Sequence, residues 1–175
     1  MNAWTLRLAR DQDTDHMPAI ESAASKLFAT EAELAMFDFD ETWEPADLRP
    51  LVARGHCLVA HVGEEMAGFL IAEPCGRELH ICEMNVHPAH QRRGIGAGMI
   101  RASQIDARNC GFRALTLTTY RDLAWNGPFY ARLGFDEIED PVFHPRLAAY
   151  LDDEEADGLP RQRRCAMIHL LSGAV

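Results

Sequence analysis

The sequence predicts an α/β fold (α+β) built as one domain over residues 1–175. Three observations lead there. Segments with strand-like alternation and segments with helical spacing interleave in the order β-α-α-β-β-β-α-β-α-β-β. Three of those strands are consecutive, and the first two are joined by a tight Gly63-Glu-Glu turn, the mark of a hairpin. A long helix then precedes a further β-rich run, as a parallel neighbour requires. A chain of 175 residues is long enough for one domain with a sizeable core.

The elements follow in order. Residues 4–9 (Trp-Thr-Leu-Arg-Leu-Ala) alternate and form a first strand. Asp11 or Asp13 caps a helix through about Phe28, with Met17, Ile20, Ala24 and Leu27 on one face. Residues 30–45 are acidic and aromatic, with Phe37, Asp38, Phe39, Asp40 and Trp43 among them. They suit a solvated loop or short helix with aromatics turned inward, or the rim of a pocket. Residues 45–54 form a short helix that Gly55 stops. Strands at 56–62 and 67–73 make the hairpin, and 79–86 is the third strand. A helix from about Gly94 to Asn109 ends at Gly111, a C-terminal glycine cap. Residues 114–119 are β-rich. A helix at 125–133 stops at Gly134, and 135–142 suits another strand. A short helix at 147–155 leads to a final apolar strand at 165–171, whose exposed edge makes a homodimer reasonable.

Composition narrows the function. At 47% apolar and 25% charged residues the chain is an ordinary globular protein. No run of 18 apolar residues occurs, so no membrane partner is expected. No secretory leader is visible at the N-terminus. Five cysteines, an odd number without C-x-x-C spacing, point to reduced thiols in a cytoplasmic setting and away from a metal site. A net charge of −10 disfavours nucleic acid. It suits a cationic substrate, although an acidic surface is more often a matter of solubility.

The most informative stretch runs from Glu83 to Ile100: a strand exit, a short loop and a helix start that carries Gly94, Gly96 and Gly98. Each glycine costs a helix roughly 1 kcal/mol relative to Ala. They make sense where a ligand must approach the backbone. A helix start presents unpaired N–H groups and the positive end of a dipole, and so receives phosphate. Arg92 and Arg93 add charged donors. The dinucleotide fingerprint G-x-G-x-x-G is not matched, and no Gly-Lys-Ser/Thr follows.

Gln91-x-x-Gly94-x-Gly96 resembles the acetyl-CoA pyrophosphate loop of the GNAT superfamily of N-acetyltransferases. Val86-His87-Pro88 resembles the strand exit before that loop. Trp125-Asn126-Gly127-Pro128-Phe129-Tyr130-Ala131-Arg132-Leu133-Gly134-Phe135 resembles the later helix with its Phe-Tyr-x-x-Leu-Gly-Phe ending. The likeness is specific over about 78–136 and looser elsewhere. It implies a mixed, mostly antiparallel sheet of about six or seven strands, splayed in the middle and flanked by four or five helices. It also implies acetyl-CoA as co-substrate, with no metal, and a primary amine of a small molecule as acceptor.

The same resemblance distributes roles. Backbone groups of Met84, Asn85 and Val86 would pair with the pantetheine arm. Gln91, Arg92, Arg93, Gly94, Ile95, Gly96 and Ala97 would hold the pyrophosphate. Tyr130 would be the general acid for the leaving thiolate, since a phenol is protonated at pH 7. Asn126 would bond the coenzyme arm or cap its helix. Two side chains are candidates for the base, beside a water relay or an acceptor that arrives as the free amine. Alternation puts His80 with Cys82, Met84 and Val86, the face on which relatives carry a base, and Glu83 on the other face unless a bulge intervenes. Two further readings stand beside this one: a non-catalytic acyl-CoA sensor, and a protein or peptide N-acetyltransferase.

Overall fold

The computed structural model describes residues 3–35 and 41–171. The expected positions of Phe37, Asp38, Phe39 and Asp40 lie outside the described residues. Seven strands form one mixed sheet in the order β1-β2-β3-β4-β5-β7-β6, with the chain divided into two compact units.

The first unit is Met1–Glu73 with Ile81–Ser103. Strand β1 (Trp4–Leu8) pairs antiparallel with β2 (Leu58–Val62), and β2 with β3 (Glu65–Cys75). The β2–β3 turn is the expected one, with Gly63 at φ 62°. Helices α1 (Met17–Ser25) and α2 (Pro45–Val52) cover this region. Met17, Ile20, Leu48, Val52, Val59, Phe69 and Ile71 are buried together, with Trp43 and Cys82 packed against them. The first helix starts later than the sequence suggests. Residues 11–16 are a 3-10 turn, and Pro18 occupies the first turn of α1, where its missing N–H costs nothing. Asp13 is turned inward instead: both its oxygens accept from Arg7, at 2.6 and 2.7 Å, and the Arg10 N–H donates to it at 2.7 Å.

The second unit is Pro74–His80 with Gln104–Val175. Strand β4 (Glu78–Val86) begins here, and its Glu78–His80 end runs parallel to β5 (Ala114–Tyr120) through Glu78↔Ala114, Leu79↔Leu115 and His80↔Thr116. Helix α3 (Ile95–Asn109) reaches this unit at its C-terminal end. It closes as expected on Gly111, φ 81°, with Phe112 N–H bonded to Ala107 O. Helix α4 (Gly127–Ala131) is shorter than 125–133, because Asn126 has a non-helical backbone and Pro128 follows in the first turn. Helix α5 (Pro145–Ala156) packs Leu147 and Leu151 with Ala166.

Two expectations about the sheet need correction. Residues 135–142 yield only β6 (Asp136–Glu137), since the chain turns at Pro141–Phe143 into a 3-10 turn. Strand β7 (Arg164–Leu170) is not the edge: it pairs with β5 on one side and β6 on the other. The β6 ladder covers that side of β7 at Met167 and Ile168. Among the described residues no helix is long and apolar enough to cross a membrane.

Candidate active site

The phosphate-type loop belongs to the first unit. His87 leaves β4 with its N–H bonded to Ala67 O at 2.8 Å, and Pro88–His90 make one 3-10 turn. Gln91 reaches back from its side-chain amide to Val86 O at 3.0 Å. Arg92 then takes φ 60° and Gly94 takes φ 82°. Positive φ at Arg92 and Gly94, with Arg93 between them not of that kind, is the alternation from which anion-binding nests are built. A non-glycine residue in that region costs on the order of 1–2 kcal/mol, so the surrounding structure must enforce it. The first intrahelical bond of α3 runs from Gly98 N–H to Gly94 O at 2.9 Å. The N–H groups of Ile95, Gly96 and Ala97 therefore precede the helical ladder, as at any helix start. Arg92 and Arg93 are exposed. The loop fits a pyrophosphate by backbone donors, dipole and charge together.

Gly94 and Gly98 do different work. A Cβ on Gly94 would meet nothing within 4 Å, so its requirement is φ alone. A Cβ on Gly98 would lie 2.4 Å from Cη2 of the Trp4 indole. Gly98 is thus a packing glycine and does not bring backbone to a ligand.

The same unit holds a carboxylate pair that the sequence only half revealed. Glu83, on β4, accepts from the Asn85 side chain at 2.9 Å. Glu21, on α1, accepts from the Trp43 N–H at 3.1 Å. Burial pushes the Glu21 carboxyl up to about 7, the like charge of Glu83 adds to that, and the Trp43 N–H opposes it. Glu83 acts on Glu21 even though Cys82, its neighbour, is the residue packed on the α1–α2 cluster. No sequence signal marked Glu21; a lone glutamate among the apolar positions of an amphipathic helix was the available hint.

The second unit holds His80, Asn126 and Tyr130. His80 is 5% exposed. Its Nδ1 lies 3.0 Å from Thr116 Oγ1, and Arg146 donates to that oxygen at 3.0 Å and to Glu78. With Arg146 occupying its lone pair, the Thr116 hydroxyl is free to donate to a neutral imidazole. Burial lowers the His80 ring to about 3, and the Arg146 charge lowers it further. The ring also faces Tyr150 at 4.7 Å.

Tyr130 is nearly buried, edge-on to Phe129 at 5.2 Å and to Phe135 at 5.8 Å. Asn126 sits at the N-cap of α4, yet its side chain does not cap. Its Nδ2 donates to Thr119 Oγ1 at 2.8 Å, while its O accepts the Tyr130 N–H at 3.0 Å. The Oδ1 of Asn126 and the Nε1–H of Trp125 are buried without a hydrogen-bond partner among the described residues. A buried orphan of this kind calls for a donor or acceptor from outside the chain. Gly127 allows the tight entry to α4, since a Cβ there would lie 2.6 Å from Arg121 O.

Residues 23–135 match the family model described as Acetyltransferase (GNAT) family. Solved structures agree in fold. The PaiA N-acetyltransferase of Thermoplasma acidophilum, solved with coenzyme A, superposes at TM-score 0.72 and 13% identity, over 96% of this chain and 99% of its own. The ribosomal-protein-S18-alanine N-acetyltransferase of Escherichia coli gives TM-score 0.68 and 17% identity, over 99% of this chain and 97% of its own. Salmonella typhimurium yncA, a putative acetyltransferase with its cofactor acetyl-CoA, gives 0.68 and 17%, over 99% and 96%.

Proposed function

Because the chain belongs to the GNAT family of acetyltransferases, we propose that it moves the acetyl group of acetyl-CoA to a primary amine of a small, cationic acceptor, by direct transfer in a ternary complex. The observation that carries this is the pair of positive-φ residues, Arg92 and Gly94, directly before the helix start at Ile95. It supports assigning residues 91–97 to the pyrophosphate. The β4 backbone of Met84, Asn85 and Val86 is assigned to the pantetheine arm, which can pair with strand groups as a peptide does. The orphaned Oδ1 of Asn126 supports a bond from an amide N–H of the coenzyme arm.

In the proposed reaction the acceptor ammonium first loses a proton. Its nitrogen attacks the thioester carbonyl carbon, the C–S bond breaks, the thiolate takes a proton from the Tyr130 hydroxyl, and the second proton lost by the attacking nitrogen as the amide forms returns through solvent to the Tyr130 phenolate. The base is assigned to the Glu21–Glu83 pair. A carboxylate held near pH 7 is matched to the task, whereas a ring lowered to about 3 is a weak proton acceptor. His80 is accordingly assigned to the buried Arg146–Thr116 network. Two carboxylates and a net charge of −10 support a cationic acceptor. Holding both reactants in place supplies much of the rate.

Incubation with acetyl-CoA and a panel of polyamines, amino sugars, amino acids and basic peptides, following thiol release and the acetylated product by mass, tests the proposal. Acetylation of a small amine is expected. Turnover on peptides alone would move the acceptor class. Tight coenzyme binding with no turnover on any acceptor would leave the sensor reading.

A further inference from the structure

We propose that Trp4 is a positioning residue for coenzyme binding: from β1 it holds the Arg93–Gly94 peptide in the orientation that the pyrophosphate needs. The inference rests on the assignment of residues 91–97 to the pyrophosphate and adds a residue that no motif contains.

Three contacts define the device. The Trp4 Nε1–H donates to the Arg93 carbonyl at 2.9 Å. The indole lies against Gly98, so close that a Cβ there would be 2.4 Å from Cη2 and 3.0 Å from Cζ3. On the other flank of the loop, Gln91 is tied to Val86 O at 3.0 Å. Between those two ties sit Arg92 and Gly94, both in the left-handed region.

The physical consequence follows from one planar group. In a trans peptide the carbonyl of Arg93 and the N–H of Gly94 point in opposite directions. Fixing the oxygen on the indole therefore aims the Gly94 N–H away from Trp4. A flip of that peptide would exchange the two, withdraw a donor and turn a carbonyl oxygen to an anion. Glycine at 94 makes such a flip sterically easy, and the φ of Arg92 already costs energy. A loop so composed does not hold its own shape. The indole supplies a hydrogen bond and a wall at the one peptide most able to turn, and Gly98 is the notch that lets the ring come close. The third glycine of the motif is thereby explained.

The role predicts selectivity. A misaimed Gly94 N–H weakens ligands that carry the pyrophosphate and leaves those without it untouched. Trp4→Phe keeps a ring on Gly98 but removes the donor. Calorimetry with two probes, coenzyme A and pantetheine, is the experiment. Loss of one neutral hydrogen bond should weaken coenzyme A about five- to tenfold, with pantetheine affinity unchanged. Gly98→Ala is the second variant. It favours the helix yet displaces the indole, so it should keep the fold and show the same selective loss. Wild-type affinity for coenzyme A in both variants, or equal losses for both probes, would overturn the proposal. Should Trp4→Phe fail to fold, Gly98→Ala decides alone. A wild-type protein that binds pantetheine but gains nothing from the pyrophosphate would instead overturn the loop assignment itself.

Discussion

Tyr130 and the Glu21–Glu83 pair carry the chemistry proposed here, and each makes a separate prediction. Tyr130→Phe removes only a hydroxyl and leaves the edge contacts with Phe129 and Phe135. Its kcat should fall about 10²–10⁴-fold while coenzyme affinity holds. A mutant with wild-type kcat and only a raised KM would make Tyr130 a binding residue. Burial, and after it the like charge of Glu83, raises the Glu21 carboxyl to about 7. Protonated Glu21 cannot act as base, so kcat/KM for the amine should rise with pH up to about 7. Glu83→Gln removes the like charge that adds to the raising of Glu21, so the acid limb of kcat/KM should move to lower pH. A pH profile that superposes on the wild type would remove the pair from the mechanism. Residue-scale legibility was uneven for a physical reason. Gly94, Gly96 and Tyr130 sit in local patterns, readable from neighbours in sequence. Trp4 meets a residue 89 positions away, and Glu21 feels the charge of Glu83, 62 positions on in the numbering. No local pattern records such long-range effects.

At the scale of elements, the β4–loop–α3 passage was legible almost residue by residue, because strand alternation, turn glycines and helix spacing change abruptly there. The later part was less so. The pattern at 125–133 hid the break at Asn126, which Pro128 and the close approach of Gly127 to Arg121 impose. The order β5-β7-β6 depends on non-local pairing, so β7 read as an edge from sequence alone. The loop itself gives the third prediction. Arg92→Ala or Arg93→Ala should weaken coenzyme A more than pantetheine, since charge acts on the pyrophosphate. Equal losses in parallel titrations would mean that the arginines act on folding or on the arm. Gly94→Ala adds no clash, so its cost should be the φ of 82° alone. About 1–2 kcal/mol of stability is expected, read from denaturant unfolding.

For the molecule as a whole, fold class and element order followed from hydrophobic periodicity, because each element buries one face and says so in its spacing. Electrostatic balance did not, since it depends on what folding brings together. Three buried groups now set opposing pH dependences. Asp13, despite burial, is held low by Arg7 and the Arg10 N–H, so its stabilisation is present at neutral pH and lost as pH falls through its folded value. His80, lowered to about 3, likewise contributes above its ordinary value of 6.5 and is lost as pH falls toward 3. Glu21 is raised, so its contribution is full below about 4.5 and lost as pH rises through about 7. Glu21→Gln should therefore melt higher than the wild type at pH 8 and nearly equal at pH 4. Allowing for its partial exposure, the gain is on the order of 1–2 kcal/mol. Thermal melts at the two pH values check it; an equal shift at both would assign the effect to packing.

The central claim is that the loop before α3 holds the coenzyme through its pyrophosphate. Titrating coenzyme A into wild-type and Gly96→Glu protein by calorimetry tests it most directly. Clear binding to the wild type is expected and none to a folded Gly96→Glu variant, whose side chain and negative charge would occupy the site. Unchanged affinity in a variant with an unchanged melting transition would contradict it.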